Sequence, residues 1–191
     1  MLSDSLVLSH FTYCEVIYDR WIDKYDEKRI QKVQNSCLRY IYGIRRRQRV
    51  SHKLKEANWL NMKNRRLVHS LCFYHNVVTT KTPPYLYNKI TFRTDIHNLN
   101  LRHRGLIEIP PHRTSFYQRS FSYAISKVYN FVPMHIKSLP LSSFKRAVVK
   151  YVKQGLFWTF TYSNECTFNS VPIISVIHTF SFIYLYFFFI R

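Results

Sequence analysis

Acidic side chains are the residues to examine first for catalysis, because two-metal polymerase and nuclease chemistry needs converging carboxylates. The sequence has no Asp-Asp dyad after an aromatic residue, and its only adjacent acidic pair, Asp26-Glu27, lies where a helix cap is expected. The acidic residues are scattered along the chain: Asp4, Glu15, Asp19, Asp23, Asp26, Glu27, Glu56, Asp95, Glu108 and Glu165. We therefore expect no catalytic residues and no enzyme activity.

His69, Cys72 and His75 are the one group with metal-capable atoms at regular helical spacing. On a helix they spread over about 120°, which is too wide for one ion, and no fourth ligand is evident. We interpret them as core residues and expect neither a metal nor a cofactor.

Two further kinds of chemistry receive little support. A glycine-rich phosphate loop is excluded because the chain has only three glycines, Gly43, Gly105 and Gly155. The four cysteines form no C-x-x-C motif, and three of them fall in apolar runs: Cys14, Cys37, Cys72 and Cys166. This pattern predicts buried, reduced thiols in a cytosolic or nuclear protein.

The basic residues are more informative. The chain has 29 Lys and Arg against 10 Asp and Glu, a formal net charge of +19. Residues 1–153 hold all but one of the basic and all but one of the acidic side chains, so this part carries the whole excess. A body this cationic indicates an anionic partner, and nucleic acid is favoured over an anionic membrane surface or a merely soluble basic protein.

A dense cationic segment is the main candidate for nucleic-acid contact. It consists of Arg45, Arg46, Arg47 and Arg49, followed by Lys53 and Lys55. Tyr40 and Tyr42 lie beside it, and arginine with tyrosine suits phosphate contact and base stacking. A solvated linker and a nuclear-import signal are the alternatives.

Other basic residues extend this set. Lys63, Arg65 and Arg66 fall in the first turn of a predicted helix, where cations are unfavourable unless an anion lies among them. They either collect a phosphate or extend into solvent. Arg102, Arg104 and Arg113 complete the candidate residues.

Apolar spacing predicts a mostly helical chain. Residues 2–18 indicate a buried helix, with a strand as the alternative over 12–18. A second helix begins at a cap on Asp26 and ends at Gly43. Its apolar stripe is Ile30, Val33, Cys37 and Ile41, and its polar face is Lys28, Lys32, Asn35 and Arg39.

The next predicted elements are a short helix from a cap on Ser51 to Ala57 and a long helix over 62–78. The long helix is apolar nearly all round, which is typical of the centre of a bundle, and its stripe is Leu67, Leu71, Tyr74 and Val78. Pro83-Pro84 then breaks the chain before a short turn over 85–89.

Residues 90–120 lose helical periodicity and indicate loop with one short strand pair. A helix over 121–131 and another from a cap on Ser142 to Lys153 follow. The last helix turns Phe144, Val148 and Val152 inward, and Lys145, Arg146 and Lys150 lie largely outside that face.

The tail differs in kind. Residues 171–190 are uncharged over 20 positions, about the length that spans a bilayer. Either they form a C-terminal membrane anchor or they are translated sequence beyond an old gene's natural end, and the second interpretation is favoured. No signal peptide is expected at the N-terminus.

Several segments in fixed order resemble the region beyond the catalytic palm of reverse transcriptases from jockey-like non-LTR retrotransposons. They are Val7–Cys14, Ile30–Arg39, Trp59-Leu60, Arg65-Arg66-Leu67, Thr82–Leu86, His112–Ser115 and Ser143–Arg146. The resemblance covers about residues 5–153. A stretch that usually has Leu-Trp-Asn-x-Leu-Pro is here Val128-Tyr-Asn-Phe-Val-Pro133.

The resemblance implies the thumb and post-thumb part of an RNA-directed DNA polymerase, which holds the template-primer duplex. Fingers, palm, catalytic aspartates and any endonuclease domain are missing, and so Mg²⁺ belongs to the parent enzyme alone. It implies a truncated, non-catalytic fragment that binds RNA or DNA unspecifically and has no small-molecule substrate.

We therefore expect a mainly α fold, a small helical bundle with an irregular or short-strand insert around 90–120 and a hydrophobic C-terminal tail. The expected parts are 1–89, a basic helical bundle; 90–120, a basic loop-rich segment; 121–153, C-terminal helices; and 154–191, the apolar tail. The expected location is the nucleus or cytoplasm. The alternative is a tail-anchored membrane protein with a basic cytoplasmic domain.

Overall fold

The computed structural model describes residues 4–96 and 105–155, and this part of the chain is mainly α and forms a small helical bundle, as expected. Its α-helices are α1 (Ser9–Thr12), α2 (Glu15–Tyr18), α3 (Lys24–Tyr42), α4 (Ser51–Glu56), α5 (Met62–Thr80), α6 (Pro84–Tyr87), α7 (Arg93–Ile96), α8 (Ser115–Gln118), α9 (Phe121–Asn130), α10 (Met134–Lys137) and α11 (Leu141–Lys153). A π-helix, Asp4–Leu8, precedes α1, and a 3-10 helix, Asp19–Trp21, follows α2.

The uncharged segment 171–190, with its two alternative interpretations, lies outside the described residues, as do Arg102, Arg104 and Cys166. Within 4–96 and 105–155, no helix combines the length and apolar character needed to cross a membrane.

Helix α5 is the centre of the bundle, as the sequence predicts. It contacts α2, α3, α6, α9 and α11, and its Leu67, Leu71 and Tyr74 side chains are buried. The helix begins after Asn61, whose side chain accepts a hydrogen bond from the Asn64 N–H at 2.8 Å. Because α5 has apolar residues nearly all round its own surface, other helices pack on several sides of it.

Helix α11 packs on α5 through the predicted stripe, since Phe144, Val148 and Val152 are all buried. The predicted cap on Ser142 is wrong. The cap residue is Pro140, two residues earlier, whose backbone is extended and whose carbonyl accepts from the Phe144 N–H at 2.8 Å. The predicted cap on Ser51 is also wrong. Ser51 is the first residue of α4, and the residue before it, Val50, makes no side-chain hydrogen bond to cap the helix.

Helix α3 ends at Gly43 as predicted, with Gly43 in the left-handed region at φ 61°. Its start differs, because Asp23 is the cap and accepts from the Asp26 N–H at 2.7 Å. The predicted apolar stripe lies at the edge of the buried face, since Ile30, Val33 and Cys37 are half-buried and Ile41 is 43% exposed. The fully buried residues of α3 are Gln34 and Leu38.

Two glutamines explain why α3 faces this way. Gln34 donates to the Leu60 carbonyl at 2.8 Å, and the Gln31 side chain accepts from the Met62 N–H at 2.9 Å. Backbone groups at the start of α5 need such partners when they are buried. The polar contacts therefore decide which face of α3 meets α5.

The N-terminal segment is not the single buried helix that the sequence predicts over 2–18. Cys14, at φ 52°, separates α1 from α2 and has an exposed thiol, which contradicts the expectation of a buried one. Tyr13 and Ile17 are 79% and 70% exposed, whereas Glu15 is buried. In α2 the fully buried residue is Glu15, whereas Val16 is half-buried and Ile17 is exposed.

The described residues of the insert, 90–96 and 105–120, contain one isolated antiparallel bridge, between Phe92 and Ile107, and two short helices, α7 and α8. Asn130 of α9 binds the backbone of buried Ile107 twice, accepting from its N–H at 2.9 Å and donating to its carbonyl at 2.8 Å. These two hydrogen bonds attach the insert to the bundle. The sequence pattern predicts neither these short helices nor α10.

A buried histidine joins α5 to the C-terminal helices. His75 Nε2 lies 3.0 Å from the Leu139 carbonyl oxygen, which only accepts, so this nitrogen carries the proton. Nδ1 then accepts from the Tyr129 hydroxyl at 3.0 Å, and the Phe144 ring stacks at 3.8 Å. Burial lowers the pKa of His75 below its ordinary value.

We predict that this histidine makes the fold acid-sensitive. Below about pH 6.5 the unfolded chain binds a proton at His75 that the folded chain resists, so the free energy of unfolding falls as pH falls. The His75→Gln variant should show a shallower loss of stability between about pH 7 and pH 5 than the wild type. Urea unfolding at each pH measures this, with exposed His52→Gln as control. Equal pH slopes for the wild type and His75→Gln would contradict the prediction.

Candidate nucleic-acid interface

The arginine loop, residues 45–49, connects α3 to α4 in a defined conformation. Beyond Gly43, the Ile44 N–H bonds to the Arg39 carbonyl at 3.0 Å and closes the end of α3. Within the loop the Gln48 N–H bonds to the Arg45 carbonyl at 3.0 Å. Buried Val50 then fixes the far end of the loop against the bundle.

The four arginines of this loop are exposed: Arg45, Arg46, Arg47 and Arg49. Within the described part of the chain, none of them forms an ion pair with a carboxylate. Four guanidinium groups in five positions repel one another at short range. The loop is therefore a concentrated positive charge that the rest of the described chain does not neutralise.

The residues beside the loop differ in availability. Tyr40 is 91% exposed, and Lys55 is exposed. Lys53, in contrast, lies 2.7 Å from a carboxylate oxygen of Glu56 and 5.1 Å above the Tyr42 ring. Tyr40 and Lys55 are thus presented to solvent, while Lys53 and Tyr42 contact each other.

The cations at the start of α5 have a different environment. Arg66 is 2% exposed, and its Nε lies 2.6 Å from Asp19 Oδ1. A second nitrogen, Nη2, lies 3.5 Å from Glu27 Oε1, and Lys63 Nζ lies 3.8 Å from the same oxygen. Arg65 is half-buried.

This arrangement corrects the sequence interpretation of Arg66. Cations at a helix start are expected to surround a phosphate or to extend into solvent, and the anions beside Arg66 are carboxylates of the chain itself. Because its guanidinium is buried against Asp19 and Glu27, Arg66 is not a phosphate contact. Nothing within a few residues of Arg66 signals Asp19, which lies 47 positions away.

The remaining predicted cations are separate from the loop in sequence. Arg113 is exposed in the turn before α8. The predicted cations that lie close together are thus those of the continuous segment 45–55. Arg102 and Arg104 lie outside the described residues.

An exposed aromatic pair was missed by sequence reasoning. Trp21 and Phe116, from distant parts of the chain, have ring centroids 4.6 Å apart. Their exposed fractions are 44% and 69%. No periodicity or motif links the two positions, so only the fold shows that they meet.

The described carboxylates neutralise cations or cap helices. Buried Glu15 contacts His69 Nδ1, Glu108 lies 2.9 Å from Arg93, and Asp19 and Glu27 face Arg66. Among residues 4–96 and 105–155, no group of three or more His, Cys, Asp or Glu side chains is arranged to hold a metal ion.

Two side chains that could act as nucleophiles, Cys72 and Lys137, are partly buried in the bundle. Burial raises the pKa of the Cys72 thiol, and nearby Lys145 opposes this only in part. A raised pKa disfavours the reactive thiolate. Burial lowers the pKa of Lys137 to about 8, and its ammonium lies 5.0 Å above the Tyr129 ring. These side chains are therefore parts of the packed bundle.

We predict that Arg66 is needed for stability. Replacing it with methionine keeps the bulk but leaves Asp19 and Glu27 without their main partner, which should cost about 3 to 5 kcal/mol of unfolding free energy. Arg46→Met, in the exposed loop, should change the unfolding free energy by less than about 0.5 kcal/mol. Urea unfolding compares the two, and similar values for both variants would refute the assignment.

Comparisons with protein-family models, with curated proteins and with solved structures find no match for this chain. The resemblance to retrotransposon reverse transcriptases therefore remains a prediction from the sequence.

Proposed function

We propose that this chain is a non-catalytic helical module that binds RNA or DNA without sequence preference, through the arginine loop. In this proposal it corresponds to the duplex-holding thumb and post-thumb region of a non-LTR retrotransposon reverse transcriptase. The observation that carries the proposal is the set of four exposed arginines without a carboxylate partner in the described chain.

Charge distribution supports a polyanionic partner. The chain has almost three basic residues for each acidic one. Its described carboxylates contact cations of the same chain or helix ends. Little internal negative charge remains to offset the loop. An external polyanion would relieve the repulsion among the guanidinium groups and would release its own counterions.

The chemistry of the loop favours nucleic acid as that polyanion. Guanidinium groups match phosphate geometry through paired donors. Exposed Tyr40, at the end of α3, adds a ring face for a base. Loop contacts of this kind fall on the backbone and on base faces, so they distinguish poorly among sequences.

A charge-matched pair of variants tests the proposal. The loop variant combines Arg45→Gln, Arg46→Gln and Arg47→Gln. The control combines Lys145→Gln, Arg146→Gln and Lys150→Gln on the exposed face of α11, and so removes the same charge elsewhere. Fluorescence anisotropy with labelled duplex DNA and single-stranded RNA gives the affinities.

We expect the loop variant to bind at least about tenfold more weakly. Its salt slope on duplex DNA should fall by about 0.9 for each phosphate that the variant no longer neutralises. The control should change affinity much less. An equal loss of affinity in both variants would show that net charge alone is responsible. No binding by the wild type at about 50 mM salt, or tighter binding to anionic lipid vesicles than to nucleic acid, would refute the proposal.

A further inference from the structure

Trp21 and Phe116 form an aromatic surface that the fold leaves open to solvent. Trp21 ends the 3-10 helix after α2, and Phe116 lies in α8. Their ring planes are inclined by 53°, and Phe116 is among the more exposed aromatic side chains, at 69%. Aromatic rings usually bury much of their large apolar area, so an exposed pair is a candidate contact surface.

The charges near this pair indicate what it would bind. Arg113 and Arg119 lie three residues before and three residues after Phe116, are exposed, and form no ion pair within the described residues. The carboxylates closest to Trp21 in sequence are engaged elsewhere: Asp19 with Arg66 and Asp23 with the Asp26 N–H. An aromatic surface bracketed by unneutralised arginines is complementary to a ligand that carries both phosphates and ring faces.

Helix α3 connects this surface to the arginine loop. Trp21 lies three residues before the first residue of α3, and the loop begins three residues after its last. At 1.5 Å per residue, a helix of 19 residues is about 28 Å long. The two surfaces therefore lie at opposite ends of one rigid element.

The outward face of α3 is compatible with a bound strand. At spacings of three and four residues it presents an exposed line that faces away from buried Gln34 and Leu38, namely Tyr25, Arg29, Lys32, Ser36 and Tyr40. Arg29 also contacts Asp26 at 3.3 Å, but both side chains are more than half exposed, and such pairs contribute little. The line has an aromatic ring at each end and cations between them.

We propose that Trp21 and Phe116 form a base-stacking platform for single-stranded nucleic acid, and that the bound strand follows the outward face of α3 to the arginine loop. The inference rests on the proposed nucleic-acid function and adds the kind of nucleic acid and its path. A single strand is required because the bases of a duplex are stacked on one another along its length. At the minimum rise of about 3.4 Å per nucleotide, a strand needs about eight nucleotides to reach both ends of α3, and a more extended strand needs fewer.

The test compares oligothymidylates of two lengths. One of about 15 nucleotides spans the helix, and a tetranucleotide does not. Phe116→Leu removes the ring but keeps an apolar side chain, and Phe116→Tyr keeps the ring. We expect Phe116→Leu to weaken binding of the long oligonucleotide roughly 5- to 150-fold. It should leave the tetranucleotide nearly unchanged, and Phe116→Tyr should retain wild-type affinity.

Three controls and a second substitution make the outcome specific. Tyr85→Ala removes an equally exposed ring on α6, at 68%, and should have no effect. Inorganic polyphosphate carries phosphates without bases, so its affinity should not respond to Phe116→Leu. Urea unfolding of each variant checks that the bundle is intact, and Trp21→Leu provides a second substitution on the other ring of the platform.

Several results would overturn the inference. The platform is wrong if the wild type binds the long oligonucleotide and Phe116→Leu and Trp21→Leu bind it equally well. It is also wrong if both lengths, or polyphosphate, lose affinity to the same degree, or if polyglutamate binds as tightly as the oligonucleotide. Failure of the proposed function is distinguishable, because then no oligonucleotide or duplex binds the wild type in a salt-dependent manner.

Discussion

The ion pairs of Arg66 with Asp19 and Glu27 hold three segments of the bundle together. Asp19 follows α2, Glu27 is in the first turn of α3, and Arg66 is the fifth residue of the central helix α5. A buried charge of this kind is tolerated only with partners, so these carboxylates must be at this place. In a chain with 10 acidic residues against 29 basic ones, carboxylates used inside the bundle cannot neutralise its surface. The arginines of the loop, which form no ion pair with a carboxylate among residues 4–96 and 105–155, reflect the same shortage of negative charge.

Two basic clusters of similar composition thus differ in what the fold does with them. In the cluster at the start of α5, Arg66 and Lys63 pair with carboxylates of the chain itself, and the buried Arg66 contributes to stability. The arginine loop, exposed between α3 and α4, has no such partners within the described chain. A sequence scan cannot separate the two, because the partner of Arg66 lies 47 residues away. The loop was predictable as a candidate because its charge is concentrated within five consecutive residues, whereas the Trp21–Phe116 pair exists only after folding.

The same division explains which parts of the fold could be predicted. Helices α5 and α11 follow from apolar spacing, and the residues on their stripes, such as Leu71 and Phe144, are buried as expected. The inward face of α3 could not be found in this way, because Gln31 and Gln34 bind backbone groups at the start of α5. The N-terminal segment failed for a related reason: its contact with α5 is made by charged side chains, while several of its apolar ones are exposed. Hydrophobic periodicity predicts burial only where hydrophobic contact decides the packing.

The central claim is that nucleic acid contacts the loop and the outward face of α3, and not the start of α5, where Arg66 and Lys63 pair with carboxylates. Photo-cross-linking of the full chain to a thiouridine-substituted single strand, followed by peptide mass spectrometry, tests it most directly. The account predicts adducts in the peptides that contain Tyr40, the arginine loop and Phe116, and their disappearance in the presence of excess unlabelled strand. Adducts confined to the basic face of α11 or to residues 62–69, or no competable adducts at low salt, would contradict it.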